Sequence, residues 1–182
     1  NDLIRKSTKK VSMKLYALNF KKNILLSPGP FVQCMLIRKR YLLNPEELFD
    51  SQAIPSEDWD FFINLSKINI LVGNINQSLF FWNLSHESQS NNLIQETKAV
   101  EYIINKHKKY ILNHTSKKNL SILCRKLAHM YIQNNNIKSG RYFYCFATYY
   151  CFSLKNILFF IVCLLSRGLI IRKYFKLQTI KS

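Results

Sequence analysis

The run from Tyr142 to Leu165, YFYCFATYYCFSLKNILFFIVCLL, constrains the fold more than any other stretch, because some two dozen mostly apolar residues must leave water. One solution is a bilayer, whose hydrocarbon core takes about 20 apolar residues in a helix. Arg141 precedes the run, and Arg167, Arg172, Lys173 and Lys176 follow it, an asymmetry that would put the C-terminal end inside. Against a span, Lys155-Asn156 interrupts the run. A lysine near the centre of a membrane helix costs roughly 2.5–3.5 kcal/mol on insertion scales. The pieces on either side are too short to cross alone, and tyrosines prefer an interface or a protein interior. The favoured expectation is two segments buried in protein, Tyr142–Phe152 and Ile157–Leu165, broken at Ser153–Asn156. Their β-branched and aromatic content fits strands, or a core helix for the second.

Charge supplies the next constraint. Residues 102–182 contain no aspartate or glutamate and fifteen lysines and arginines. Residues 1–45 carry a net +9 and residues 46–101 a net −7, within a total of +17. A single-sign field repels itself, so this pattern predicts a strongly negative partner: nucleic acid first, an anionic membrane surface second. Hydrophobic content of 48% and 182 residues allow a real core, in one domain or two small ones. Asn, Lys, Ile, Phe and Tyr are abundant beside only 4 Gly and 4 Pro, which predicts an AT-rich genome, an organelle's own or that of an AT-rich protist. Such drift accounts for surplus Lys and Asn more readily than for the missing acids. Asn1 in place of methionine predicts processing or an incomplete chain, and no secretory core is visible near it.

Residues 1–14 read as a basic arm. Residues 15–85 read as a β-rich part. LYALNF and ILL flank Lys21-Lys22-Asn23 as a hairpin, and Ser27-Pro28-Gly29-Pro30 is a turn. FVQCMLI (31–37) is a strand ending at Arg38-Lys39-Arg40-Tyr41, and Phe61–Leu84 forms a second hairpin about Gly73-Asn74. Within this part lies an acidic insert, 44–60. Asn44-Pro45-Glu46-Glu47 starts a short helix, and Glu57-Asp58-Trp59-Asp60 reads as a solvated acidic surface facing a basic neighbour. Phe80, Phe81 and Trp82 read as core, and residues 86–92 as a linker.

The remainder, 92–182, reads as basic and mainly helical. Leu93, Val100, Ile103, Ile104, His107 and Ile111 repeat with helical period across Leu93–Leu112, behind Asn92 as N-cap with Gln95 three residues on. After the link 113–116, Ser116 caps a second helix with the stripe Leu120, Leu123, Cys124, Leu127 and Met130 or Tyr131, ending at Asn134-Asn135-Asn136. Ser139-Gly140 then reads as the turn before the apolar run. The expected class is α+β: an N-terminal β-hairpin-rich part, then a C-terminal helical hairpin followed by buried apolar segments.

No catalytic or metal chemistry emerges. The five cysteines form no CxxC pair, and their odd number fits free thiols in a reducing compartment. The four histidines lack HExxH or zinc-finger spacing, and neither a phosphate-cradling glycine loop nor a GxSxG elbow is present. No cofactor is expected. The stretch KKNLSILCRKLA (Lys117–Ala128) resembles the lysine-rich helix of the seventh small-subunit ribosomal protein family. Its flanks do not continue the match, and no residue roles are carried over.

The expected function is a structural RNA-binding protein, an rRNA-binding component of a mitochondrial (organellar) ribosome. Arg5, Lys6, Lys9 and Lys10 in the arm, Arg38, Lys39 and Arg40 at the strand end, and Lys108, Lys109, Lys117, Lys118, Arg125 and Lys126 on the helical hairpin would neutralise phosphates. The acidic insert 46–60 would face neighbouring ribosomal proteins. The rival expectation is a single-span accessory subunit of an organellar membrane complex, with residues 142–165 in the bilayer.

Overall fold

A computed structural model describes residues 19–29, 32–42, 49–68, 70, 72–73, 92–166, 170–171 and 173. Among them every regular element is helical, so the expected α+β class is wrong. The α-helices are α1 (Phe20–Ile24), α2 (Glu57–Leu65), α3 (Leu93–His114), α4 (Lys117–Gln133), α5 (Ile137–Tyr150) and α6 (Leu154–Leu165). Single 3-10 turns occur at Val32–Cys34, Lys39–Tyr41 and Ser51–Ala53.

The misread elements share a cause. Lys21-Lys22-Asn23, read as a hairpin loop, lies inside α1, where Phe20 and Ile24 stand one turn apart and both face the core. The supposed strand 31–37 contains a 3-10 turn and an exposed Leu36. Phe61–Leu65, read as the start of a hairpin, completes α2, which buries Trp59, Phe61, Phe62, Ile63 and Leu65. A helix of nine residues offers barely two and a half turns of 3.6-residue period, so its run of aromatic and β-branched residues passes for a strand. Glu57, Asp58 and Asp60 in its first turn complement the positive end of the helix dipole. The basic arm 1–14, Asn44–Glu47 and Phe80–Trp82 lie outside the described residues.

The later helices begin where short polar side chains cap them. Asn92 Oδ1 accepts from the Gln95 amide at 3.1 Å, and Ser116 Oγ from Asn119 at 3.3 Å. Asn136 Oδ1 accepts from Ser139 at 3.0 Å, and Ser153 Oγ from Asn156 at 3.2 Å. Each satisfies an amide that the first helical turn leaves orphaned. The two helices expected over 93–112 and beyond Ser116 are thus present; their predicted stripes are buried except for Leu93 and for Met130 and Tyr131, the alternatives at the end of the second stripe, which are half-buried.

The turn into α5 falls at Asn134–Asn136, where Asn135 adopts φ 63°, a left-handed conformation that asparagine tolerates. Gly140, expected in this turn, lies inside α5 instead. A Cβ there would sit 2.5 Å from Ile132 Cγ1 and 3.2 Å from the Ala128 carbonyl oxygen, so glycine permits the close approach of α4 and α5.

Helices α3 to α6 run up and down, with α4 touching the other three. Asn134 Nδ2 donates to Leu93 O and Thr97 Oγ1 at the start of α3. Tyr131 stacks on Phe143 of α5, and His129 packs against Tyr144 of α5 and Phe159 of α6. Burial, with Arg125 and Lys155 nearby, pushes the His129 imidazolium down to about 3, leaving a neutral ring among aromatics. At the other end, α1 docks on α2: Trp59 Nε1 donates to Ile24 O at 2.7 Å, and Phe20 meets Phe62 edge-on at 6.3 Å.

The apolar run is neither one span nor two strands. It forms most of α5 and all of α6, which fold back antiparallel: Arg141 near the start of α5 donates to the Cys163 and Leu164 carbonyls at the end of α6, while Tyr144 stacks on Phe159. Among the described residues, no helix is long and apolar enough to cross a membrane. The interrupting Asn156 is the reason the hairpin has one geometry. It is 1% exposed; its Nδ2 donates to Ser121 Oγ and to the Ala147 and Cys151 carbonyls, and its Oδ1 accepts from Arg125 at 2.8 Å. Ser121 Oγ also donates to Ala147 O at 2.6 Å. One side chain thereby joins α4, α5 and the first turn of α6.

Asn156→Ala leaves several buried partners unmatched, each worth about 1–3 kcal/mol. It is expected to lower stability by about 2–4 kcal/mol in urea unfolding; a loss under about 0.5 kcal/mol would show that solvent replaces the amide.

Candidate nucleic-acid interface

The basic residues singled out from the sequence fall into distinct groups. Arg5, Lys6, Lys9 and Lys10 lie outside the described residues. Arg38, Lys39 and Arg40 are exposed on a 3-10 turn, not at a strand end. The Arg40 guanidinium lies 5.0 Å from the Tyr41 ring and donates to its hydroxyl at 3.1 Å, a stacked pair with its charge open to solvent.

On the helices, Lys109, Lys117, Lys118 and Lys126 are exposed. Lys118 and Lys126 point away from the buried stripe of α4, and Lys126 Nζ lies 3.5 Å from Leu26 O, in the segment after α1. Two of the predicted residues have internal work. Arg125 is half-buried and held by Asn156. The Lys108 ammonium sits 5.9 Å from the Phe146 ring and 5.5 Å from the Tyr150 ring. The hydrogen bond with Tyr150 raises its pKa despite some burial.

Folding adds residues that sequence reasoning missed. Lys21 from α1 and Lys67 just past α2 lie 5.2 and 5.7 Å from the Tyr110 ring on α3. His114, one turn on, packs on the same ring at 4.2 Å. Tyr110 is anchored by donating to Ser66 O at 2.9 Å. Burial lowers the Lys67 pKa, with Asp60 opposing. Two cations on one tyrosine, beside a histidine and just before Lys117 and Lys118, make a basic–aromatic end where α3 turns into α4. The only signal in the sequence was their shared polarity; their distance along the chain hid the rest.

The acidic insert behaves unlike a solvated surface. Asp60 is 1% exposed, as is His107, whose Nε2 lies 2.6 Å from Asp60 Oδ1. Lys106 Nζ bridges Asp60 Oδ2 at 2.8 Å and Asp50 Oδ2 at 2.7 Å, and Tyr102 donates to Asp50 at 2.6 Å. Asp58 Oδ2 accepts from the Val32 amide at 3.0 Å. Burial alone would raise the Asp60 carboxyl, but the hydrogen bonds and charges of His107 and Lys106 outweigh it and hold it below the usual range. Hydrogen bonds from Lys106, Tyr102 and the Gln52 amide bring Asp50 to about 2. With His107 sealed inside, this cluster ties α2 to α3.

Among the described residues, no group of three or more His, Cys, Asp or Glu could hold a metal ion. Cys124 and Cys163 are buried, and burial pushes the Cys124 thiol up to about 11; Cys34 and Cys145 are exposed. No protein-family model matches the sequence, and neither curated proteins nor solved structures match it.

A carboxyl with a depressed folded-state pKa stabilises the fold above its unfolded value, and that contribution drains away as pH falls through the folded one. For Asp50 the window runs from 3.8 down to about 2. Urea midpoints measured across this range should fall steadily for the natural chain and less steeply for Asp50→Asn, which should also be less stable at neutral pH. Equal slopes would show that the Lys106 bridge is not formed in solution.

Proposed function

We propose that this chain is a structural RNA-binding protein, an rRNA-binding component of a mitochondrial ribosome. The observation that carries the reading is the fate of its few acids. Among the described residues, the salt bridges all fall on Lys106 and His107, and Glu101 accepts from Tyr131. Among the described residues, the exposed lysines around the α3–α4 turn form no salt bridge, and the stretch after residue 101 has no carboxylate side chain.

Phosphate contact by Lys21, Lys67, Lys109, Lys117, Lys118 and Lys126 would supply salt-dependent affinity. His114 and the Arg40–Tyr41 pair offer flat surfaces to unpaired bases. The arm residues Arg5, Lys6, Lys9 and Lys10, with Arg38 and Lys39, would extend the same contact. Lys108 and Arg125, also expected to touch RNA, would contribute mainly through packing. Neighbouring ribosomal proteins would meet what remains exposed of the acidic insert.

Filter binding to rRNA fragments over a salt series tests the assignment. Lys117→Gln with Lys118→Gln and Lys126→Gln should weaken binding and reduce the slope of log affinity against log salt by roughly one for each phosphate no longer neutralised. Lys21→Gln with Lys67→Gln should act in the same direction. An unchanged slope would sink the interface. In organelle extracts, the chain should co-sediment with a large particle that collapses under ribonuclease; migration indifferent to ribonuclease would count against the ribosomal role.

A further inference from the structure

The α5–α6 hairpin carries a feature that RNA binding does not use. On α5, Lys138, Tyr142, Cys145 and Tyr149 are all exposed and, spaced by three or four residues, fall on one stripe; Phe152 continues it beyond the helix. Tyr149 and Phe152 are 81% and 80% exposed. On α6, Leu154, Leu158, Ile161 and Leu165 form a matching stripe, with Leu154 and Leu165 more than four-fifths exposed. Between the two runs a shallow groove of about 380 Å³ is lined by Cys145, Thr148, Tyr149, Phe152, Ile157 and Phe160. The stripes and the groove make one continuous apolar face, of a kind that water-soluble surfaces rarely leave open.

The geometry points to a monotopic membrane contact: the α5–α6 hairpin lies flat in the headgroup region of an anionic phospholipid bilayer, its apolar face toward the acyl chains. Length is the first argument. At 1.5 Å per residue, helices of 14 and 12 residues are about 21 and 18 Å long, short of the ~30 Å needed to span but suited to lying in the plane. Composition is the second. Leu and Ile fill α6, whereas Tyr142 and Tyr149 on α5 are residues that favour the interface, where one end of the ring stays wet.

Charge complementarity decides the occupant. Lys138 lies on the α5 stripe, Lys155 borders the α6 stripe, and Lys173 is exposed beyond it, with no aspartate or glutamate anywhere after residue 101. An anionic surface attracts such a rim. A second copy of this chain would bring another +17 against the first, and RNA has no use for an aliphatic stripe.

The test is flotation of the full chain with phosphatidylcholine vesicles, with and without about one-third phosphatidylglycerol, in low salt and in about 0.5 M salt, where charges are screened within a few Å. The variant is Leu158→Glu with Leu165→Glu; both sites are exposed, so the fold should persist, as circular dichroism will show. The natural chain should float with anionic vesicles, stay partly bound to them in high salt, and bind neutral vesicles weakly. The variant should lose at least about tenfold in binding while keeping its salt-dependent affinity for rRNA, which separates this inference from the RNA reading. Equal flotation of variant and natural chain would overturn it, because adhesion by charge alone would then suffice. A dimer that the variant disperses would overturn it too, by assigning the face to a second copy. Absence of flotation would exclude the bilayer and leave an acidic protein as the occupant.

Discussion

The buried carboxylate of Asp60 joins the acidic middle of this charge-divided chain to its basic C-terminal stretch. An isolated ion at 1% exposure would cost several kcal/mol, so α2 can dock only where His107 and Lys106 wait on α3. Those partners stand one after the other near the start of the acid-free stretch that extends to the C-terminus. Asp60 and Asp50 are thereby committed to holding the fold, since Lys106 also recruits Asp50 and, through it, Tyr102. The consequence for function is indirect. Among the described residues, the salt bridges formed by these acids involve Lys106 and His107 and not the outward lysines.

The later helices follow a second rule, in which polar groups inside apolar surroundings set geometry. Leu, Ile and aromatic side chains would let α5 and α6 slide past each other. Asn156 prevents it, because its amide finds partners in only one register with α4 and α5. Arg141 does similar work at the far end, where it donates to the last carbonyls of α6. Gly140 contributes by omission, allowing α5 to approach Ile132 and Ala128 more closely than a side chain would. Such a hairpin keeps its outer stripe apolar without needing that stripe for its own stability.

Two surfaces result, with different chemistry. Around the α3–α4 turn, cations gather on Tyr110 and His114; along α5 and α6, tyrosine and leucine face outward beneath a lysine rim. Both are suited to anionic partners, one through phosphate charge and stacking, the other through charge and burial.

The sequence by itself determined the helices whose signals are local. Asn92 and Ser116 marked the starts of α3 and α4, and their 3.6-residue stripes identified the buried faces. It also determined the charge division, and with it the exposed lysines Lys109, Lys117, Lys118 and Lys126. Only tertiary structure decided the rest. Helices α1 and α2 pass for parts of hairpins because at five and nine residues they are too short for a 3.6-residue period to stand out from aromatic and β-branched content. In residues 142–165 the sequence marked the interruption at Ser153–Asn156 but not that both pieces are helices or how they pack, because that geometry depends on an asparagine satisfied by α4 and α5. The gathering of Lys21, Lys67 and Tyr110, and the inward turn of Asp60, rest on contacts between distant parts of the chain, and no local pattern of residues encodes them.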